Sequence, residues 1–240
     1  MKQFAAITLI SLSAIFMAWL LQASIHSYIN TQNGKQLINR IGTPYQKHNN
    51  GKRTDKIFIY GDSAAFGTGA STPEKSFAGI VGENCENCSV TNFGQNGFKT
   101  EDLLEQLKRA SPTQVDKTFL LIGSNDIMHF YVDLDKSCSN LETILQNSSE
   151  QSSKTYLLTT PNASYAGFFL FPLNHYYGIR SRQFNKCANH AAAKIENTYY
   201  INLESNYSKH LFKQHQSSDM LHMNDKGNLY WYQLIQELTK

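Results

Sequence analysis

The sequence predicts an α/β protein: a three-layer α/β/α sandwich around a parallel five-stranded sheet, preceded by an N-terminal hydrophobic helix. Two observations predict this class. Short apolar runs alternate with longer amphipathic stretches, and turn-forming residues separate the two kinds of segment. Strands that alternate with helix-length segments are typical of parallel sheets with helices on both faces. With 240 residues, of which 41% are hydrophobic, the chain is long enough to bury one core of this kind.

The predicted strands are short and rich in Ile, Val, Leu, Phe, Tyr and Thr. They are Lys56–Tyr60, Val90–Phe93, Thr118–Ile122, Thr155–Thr159 and Thr198–Asn202. The predicted helices are Pro73–Glu83, Thr100–Ala110, Leu134–Gln146, Arg180–Glu196 and Asp225–Leu238. We therefore assign residues 55–240 to one α/β domain.

The first two dozen residues differ in composition from the rest. Phe4 to Ala23 have no charged side chain, and a run of about 20 apolar residues can cross a bilayer as one helix. Residues 1–24 are interpreted as a signal anchor or a cleaved signal peptide. The run is longer than the usual signal-peptide core of about 7 to 15 residues, which favours the anchor. Either interpretation predicts an exported protein, periplasmic and anchored to the inner membrane, or secreted.

Residues 25–54 contain no acidic residue and are rich in Asn, Gln, Gly, Ser and Thr, which predicts a polar linker.

The overall charge excludes one class of partner. With 22 Lys and Arg against 19 Asp and Glu, the chain lacks the concentrated positive charge of proteins that bind phosphate backbones. We expect no nucleic acid partner.

Small and polar residues follow three of the predicted strands. The first strand runs into Gly61-Asp62-Ser63, the second into the segment from Asn92 to Gly97, and the third into Gly123-Ser124-Asn125-Asp126. Asp219-Met220-Leu221-His222 precedes the last helix. Functional groups in such sheets gather beyond the carboxyl ends of the strands, so these four blocks are expected around one crevice.

The four blocks, in this order, resemble those of the SGNH/GDSL hydrolase family of esterases and lipases. The resemblance covers nearly the whole exported part and implies a flavodoxin-like fold and serine ester hydrolysis without metal or cofactor. It implies a catalytic set of Ser63, Asp219 and His222, and an oxyanion hole of the Ser63 and Gly97 amides with the Asn125 side chain. Two positions depart from the family pattern: its block-two threonine comes one residue later, at Thr100, and Met223 replaces a frequent proline.

The chemistry of these residues agrees with the resemblance. Ser63 needs a base to accept its proton, and a neutral histidine such as His222 can do so near neutral pH. The spacing of three lets Asp219 reach one ring nitrogen while the other faces Ser63. Taken singly, Ser63 is also explained as a helix N-cap and Gly97 and Asn125 as turn residues. Ser63 lies outside any Gly-x-Ser-x-Gly elbow, which disfavours an α/β-hydrolase.

Four cysteines in an exported chain can pair in three ways. We expect disulfides between Cys85 and Cys88 and between Cys138 and Cys187 in an oxidising compartment. A thioredoxin-like site at Cys85 and Cys88 is disfavoured because the neighbouring carboxylates oppose a thiolate. Zinc is disfavoured because the second pair is far apart in sequence.

An apolar segment follows the fourth predicted strand, where loops are normally polar. Phe168, Phe169 and Phe171 are candidates for a wall of the acyl-binding site, for a surface that leans on the membrane, or for an extension of the core.

The expected partners are a small-molecule, lipid or glycan ester and, through residues 1–24, the membrane. Two alternatives to ester hydrolysis remain: acyl transfer to a sugar hydroxyl by the same serine, and a non-catalytic domain that binds glycan or lipid.

Overall fold

A parallel sheet of five strands lies at the centre of the structure, a computed structural model that describes residues 2–49, 51 and 54–238. The strands are β1 (Asp55–Gly61), β2 (Cys88–Asn92), β3 (Val115–Leu121), β4 (Ser152–Leu158) and β5 (Thr198–Ile201). Their order across the sheet is β2-β1-β3-β4-β5, and every neighbouring pair is parallel. The carboxyl ends of all five therefore lie along the same edge.

Helices cover both faces of the sheet. The longer ones are α4 (Thr100–Arg109), α6 (Leu134–Gln151), α7 (Leu173–Ala193) and α10 (Asp225–Leu238), and a further long helix, α1 (Lys2–Ile41), precedes β1. The shorter ones are α2 (Ser63–Phe66), α3 (Phe77–Glu83), α5 (Ser124–Met128), α8 (Leu203–Asn206) and α9 (Lys209–His215). The predicted three-layer sandwich is confirmed.

The strands are apolar on both faces because both faces are covered. In β1, Ile57 and Ile59 join the core cluster that includes α3 and α10 residues, whereas Tyr60 joins the cluster with α4, α6 and α7 residues. The same alternation recurs in β3, where Leu121 faces the first cluster and Leu120 the second.

Helix α1 continues well beyond the apolar run, and here the structure differs from the predicted linker over residues 25–54. The helix extends to Ile41, where Leu37 and Ile41 are buried. After the helix, Lys47 pairs with Val90 at the edge of β2. Composition alone could not show this packing, because the same short polar side chains suit a tether and a surface helix. The end of the predicted linker, at Asn50, Lys52 and Arg53, lies outside the described residues.

Part of α1 meets the length and composition expected of a membrane span. Within Ile10–Ile41, a window of 18 residues has a mean hydropathy of 1.3, and none of that window is buried. Farther along the chain, Cys85 is bonded to Cys88, and Cys138 to Cys187. The second bond joins α6 to α7, two helices of the same layer.

Candidate active site

Ser63 lies at the edge formed by the carboxyl ends of the strands. It is the first residue of α2, directly after β1, and Asp62 caps this helix by accepting a hydrogen bond from the Ala64 amide (2.9 Å). The Ser63 Oγ lies 2.8 Å from Nε2 of His222, although 159 positions separate the two residues. The fold therefore brings the predicted nucleophile and the predicted base into hydrogen-bond contact.

Asp219 holds the other side of the imidazole. Its Oδ2 accepts a hydrogen bond from Nδ1 of His222 at 2.5 Å, and its Oδ1 accepts from the amides of Leu221 (3.1 Å) and His222 (3.0 Å). Burial opposes the charged form, but the hydrogen bonds and charge of His222 outweigh it and lower the pKa of Asp219 below its usual value. A charged Asp219 fixes the proton of the ring on Nδ1 and leaves Nε2 free to accept from Ser63.

The loop that carries Asp219 and His222 is hydrogen-bonded to the loop after Ser63. The Ser217 hydroxyl donates to the carbonyl of Gly69 (3.1 Å), and the Ser217 amide donates to the carbonyl of His222 (2.7 Å). Gly69 has φ +107°, and a Cβ there would lie 2.3 Å from the carbonyl oxygen of Met223. Only glycine allows this close approach. Gly69 was not among the predicted site residues; its one signal in the sequence is the pair of glycines, Gly67 and Gly69, that follows the serine block.

The block after β2 reaches the same edge. Asn92 donates from Nδ2 to the carbonyl of Ala65 in α2 (2.7 Å), and Thr68 donates to Oδ1 of Asn96 (2.7 Å). The next residue, Gly97, has φ +83° and open space where a side chain would be. The Asn125 side chain donates to the carbonyl of Phe98 at 3.0 Å. The candidate donors Gly97 and Asn125 therefore belong to one hydrogen-bonded group of loops.

Asp126, to which the sequence assigned no role beyond its place in the third block, holds this group of loops together. Its buried carboxylate accepts from the amide and hydroxyl of Thr100, the latter at 2.7 Å, and from the hydroxyl of Ser137 (2.6 Å). Thr100 begins α4, so its position one residue later than in the family pattern still gives its hydroxyl a partner.

Asp62, the residue directly before Ser63, is also a buried carboxylate. Its Oδ2 accepts a short hydrogen bond from the Ser124 hydroxyl, which links the β1 loop to the β3 loop. Burial raises the pKa of Asp62 to about 6, against the lowering effect of the hydrogen bonds from Ser124 and Ala64. The capping and bridging contacts give Asp62 a role in shaping the serine turn.

A small cavity of about 60 Å³ opens beside Ser63 and His222. Its apolar walls come from the ends of β3 and β4, from nearby loops, and from helices α5 and α10. They include Leu121, Ile122, Ile127, Met128, Leu158, Pro161, Ala163, Ala166, Leu221 and Trp231.

The three candidate phenylalanines do not line this cavity. Phe168 and Phe169 are half-buried and pack against the core clusters. Phe171 is 72% exposed. The structure therefore supports core packing for the first two and a surface position for the third.

Histidines other than His222 have structural partners or lie apart from this site. His215 is buried beside the Tyr207 hydroxyl (3.0 Å), and burial lowers its pKa. Within residues 2–49, 51 and 54–238, no group of three or more His, Cys, Asp or Glu side chains is arranged to hold a metal ion.

Comparisons with known proteins agree with this geometry. A sequence model of the GDSL-like Lipase/Acylhydrolase family matches residues 59–229, the region that contains all four blocks. No curated protein matches the chain.

Solved structures show the same fold. A member of the lipolytic protein G-D-S-L family from Veillonella parvula is 18% identical, with a TM-score of 0.61 over 77% of this chain and 98% of its own. A catalytic mutant of Axe2, an acetylxylan esterase from Geobacillus stearothermophilus, is 16% identical, with a TM-score of 0.60 over 78% of this chain and 96% of its own.

Proposed function

The chain belongs to the GDSL-like lipase/acylhydrolase family and is a carboxylic ester hydrolase; on that premise we propose that Ser63, His222 and Asp219 form its catalytic set. The observation that carries the proposal is the hydrogen-bonded chain from the Ser63 hydroxyl through the imidazole to a buried carboxylate. This arrangement supplies a nucleophile, a base and a group that orients the base.

In the proposed reaction, the Ser63 oxygen attacks the ester carbonyl while His222 Nε2 accepts the serine proton. The imidazolium then donates that proton to the leaving alcohol, and an acyl group remains on Ser63. Water, deprotonated by the same nitrogen, attacks the acyl-serine; the imidazolium returns the proton to the departing Ser63 oxygen, and the acid is released. Asp219 stabilises the imidazolium in both halves of the reaction.

The amides of Ser63 and Gly97 and the side chain of Asn125 are proposed as the oxyanion hole. Asn125 uses one amide hydrogen on Phe98, so its orientation is fixed while the second hydrogen remains for the substrate. Donors fixed in place before the reaction stabilise the developing oxyanion without reorganising.

The cavity beside Ser63 supports a short acyl group. Its volume is about 60 Å³, and its lining is mostly apolar. We therefore propose acetyl or similarly short acyl esters as substrates.

We further propose that α1 anchors the domain on the outer side of a membrane, since the helix contains a stretch long and apolar enough to span one.

The catalytic set is tested by two single variants and their combination. Ser63→Ala and His222→Ala should each remove nearly all hydrolysis of a chromogenic acetate, and the double variant should be scarcely worse, because nucleophile and base act as one unit. A fluorophosphonate should label Ser63 in the wild type and leave Ser63→Ala unlabelled. Substantial turnover by Ser63→Ala, or a label on another serine, would contradict the mechanism and favour a binding domain.

The oxyanion hole has its own kinetic signature. Asn125→Ala should lower kcat by about 100 to 1,000-fold with little change in KM, because the contact strengthens only as charge develops on the carbonyl oxygen. Circular dichroism checks that the variant is folded. An unchanged kcat in a folded variant would remove Asn125 from the site.

A panel of esters decides between hydrolysis and acyl transfer. Chromogenic esters of increasing chain length are offered to the enzyme with and without a carbohydrate acceptor, and the acylated product is measured. We expect acetate to be the best substrate and water the acceptor. A carbohydrate ester formed faster than free acid would identify a transferase.

A further inference from the structure

Two segments without Asp, Glu, Lys or Arg meet where α1 leaves the domain. One is the part of α1 from Gln3 to Gly34, and the other covers residues 161–179, which form the loop after β4 and the first turns of α7. The next residue, Arg180, is buried, and its guanidinium donates to backbone carbonyls, among them that of Ile127 (2.8 Å). Residues 161–179 therefore carry no charged side chain of these types, and the first one after them, Arg180, is buried rather than exposed.

A direct contact fixes the position of the second segment relative to the helix. Nε2 of His26 donates to the carbonyl of Gly167 at 2.7 Å. On its other side Gly167 packs against Met220, whose Sδ would lie 3.0 Å from a Cβ at this position. The loop is thus held between α1 and the loop that carries Asp219 and His222.

The position of His26 along the helix sets its depth relative to a membrane. At about 1.5 Å per residue, it lies about 5 Å beyond Ala23, where the span predicted from the sequence ends. The polar layer on each side of the hydrocarbon core is roughly 5 to 8 Å thick. If α1 spans a bilayer, Gly167 and its neighbours lie at the level of the lipid headgroups.

Exposed apolar and aromatic side chains follow Gly167 in the same uncharged segment. Phe171 is 72% exposed, Leu173 48%, Tyr176 42% and Ile179 40%. Contiguous exposed side chains of this kind are uncommon on soluble monomers, and aromatic residues are enriched at bilayer interfaces. We call these four residues the apolar surface.

We propose that the apolar surface contacts the headgroup layer of the bilayer that α1 enters. The inference rests on the proposed anchoring by α1 and adds a second, peripheral contact with the same membrane. Because Met220 lies against Gly167, this contact fixes the height and orientation of the Ser63–His222 site above the membrane.

The test uses the full chain in vesicles of phosphatidylcholine and phosphatidylglycerol, with or without phosphatidylcholine brominated near the headgroup end of its acyl chains. Trp19→Phe removes the tryptophan of the apolar run, and Trp231 stays as a buried background. Tyr176→Trp places a reporter in the apolar surface. Tyr199→Trp is the matched control: Tyr199 is 37% exposed on β5, and its ring lies 6.0 Å from the Lys154 ammonium, as the Tyr176 ring lies 6.0 Å from the Arg180 guanidinium.

We expect the brominated lipid to quench the emission of Tyr176→Trp and to leave that of Tyr199→Trp unchanged. Phe171→Trp repeats the measurement if the first reporter does not fold. Equal quenching of the two reporter positions, or none at either, overturns the proposal.

Flotation and hydrolysis of a water-soluble acetate, measured on the same samples, separate the possible failures. A chain that does not float with the vesicles refutes both the anchoring and the apolar-surface contact. If the full chain floats and Tyr176→Trp is quenched as expected, but the vesicle-bound protein does not hydrolyse the acetate, the catalytic proposal alone is refuted.

Discussion

Asp62 shows how a single buried carboxylate makes stability depend on pH. Folding raises its pKa from 3.8 to about 6 because the side chain is removed from water. The folded state therefore binds a proton more tightly than the unfolded state does. This preference stabilises the fold fully below about pH 4 and is lost as the pH rises through about 6.

The variant Asp62→Asn should remove this dependence, since an amide oxygen can still accept from Ala64 and carries no charge. Its free energy of unfolding, relative to the wild type, should rise by up to about 3 kcal/mol between about pH 4 and about pH 8. Urea denaturation of both proteins at the two pH values measures the difference. Asp219, whose pKa shift has the opposite direction, is present in both proteins and cancels. A difference independent of pH would contradict the burial effect.

The candidate site residues could be proposed from sequence because each belongs to a short block, either at a strand end or, for Asp219 and His222, just before the last helix. The residues that hold them in place could not be predicted in this way. Gly69 is required by its approach to the Met223 carbonyl, and Asp126 by its bonds to Thr100 and Ser137. Both needs arise only when segments far apart in sequence meet, so no local pattern indicates them.

At the scale of elements, the strands were predicted more accurately than some helix ends. Each observed strand begins or ends within about three residues of the prediction, because a covered strand needs an unbroken apolar run. Helix α7 begins at Leu173, seven residues before the predicted Arg180. Its first turns are aromatic and uncharged, and they lack the amphipathic pattern on which the prediction depended.

The second half of α1 is expected to belong to the folded domain. Leu37 and Ile41 are buried, the Asn33 amide donates to the carbonyl of Ser218 (3.1 Å), and Arg40 donates to the carbonyl of Ala70 (2.9 Å). Protein that lacks residues 1–24 should keep its melting temperature and kcat. Protein that lacks residues 1–54 should lose several kcal/mol, since each buried apolar side chain contributes about 1.5 to 3 kcal/mol. Equal behaviour of both truncations would restore the linker interpretation.

A point variant tests the same helix without truncation. A Cβ at Gly34 would lie 3.4 Å from Oδ2 of Asp219, so a larger side chain there must displace the carboxylate or the helix. Gly34→Leu should lower kcat more than it changes KM. Lys35→Leu, one position along on the exposed face, is the control and should leave kcat unchanged. Equal effects of the two variants would show that α1 does not position Asp219.

At the scale of the whole molecule, the parallel sheet and α1 act together. The sheet gathers the strand ends at one edge, and the second half of α1 touches three loops there: at Gly167, at Ser218 and at Gly69. The helix that contains the candidate span is thus packed directly against the candidate site. An anchored enzyme of this design holds its site at a defined distance from the membrane, whereas a flexible tether would let that distance vary.

The anchor itself is tested by topology and fractionation. Fused to a reporter that is active only outside the cytoplasm, the full chain should give signal and sediment with membranes, because Phe4 to Ala23 can span the hydrocarbon core. Deletion of Lys2 to Ala23 should leave the fusion inside the cell and silent. N-terminal sequencing of the exported protein distinguishes the two possible leaders. A mature form that begins near Ser24 would identify a cleaved signal peptide, and residues 24–41 would then remain as a helix packed on a soluble domain.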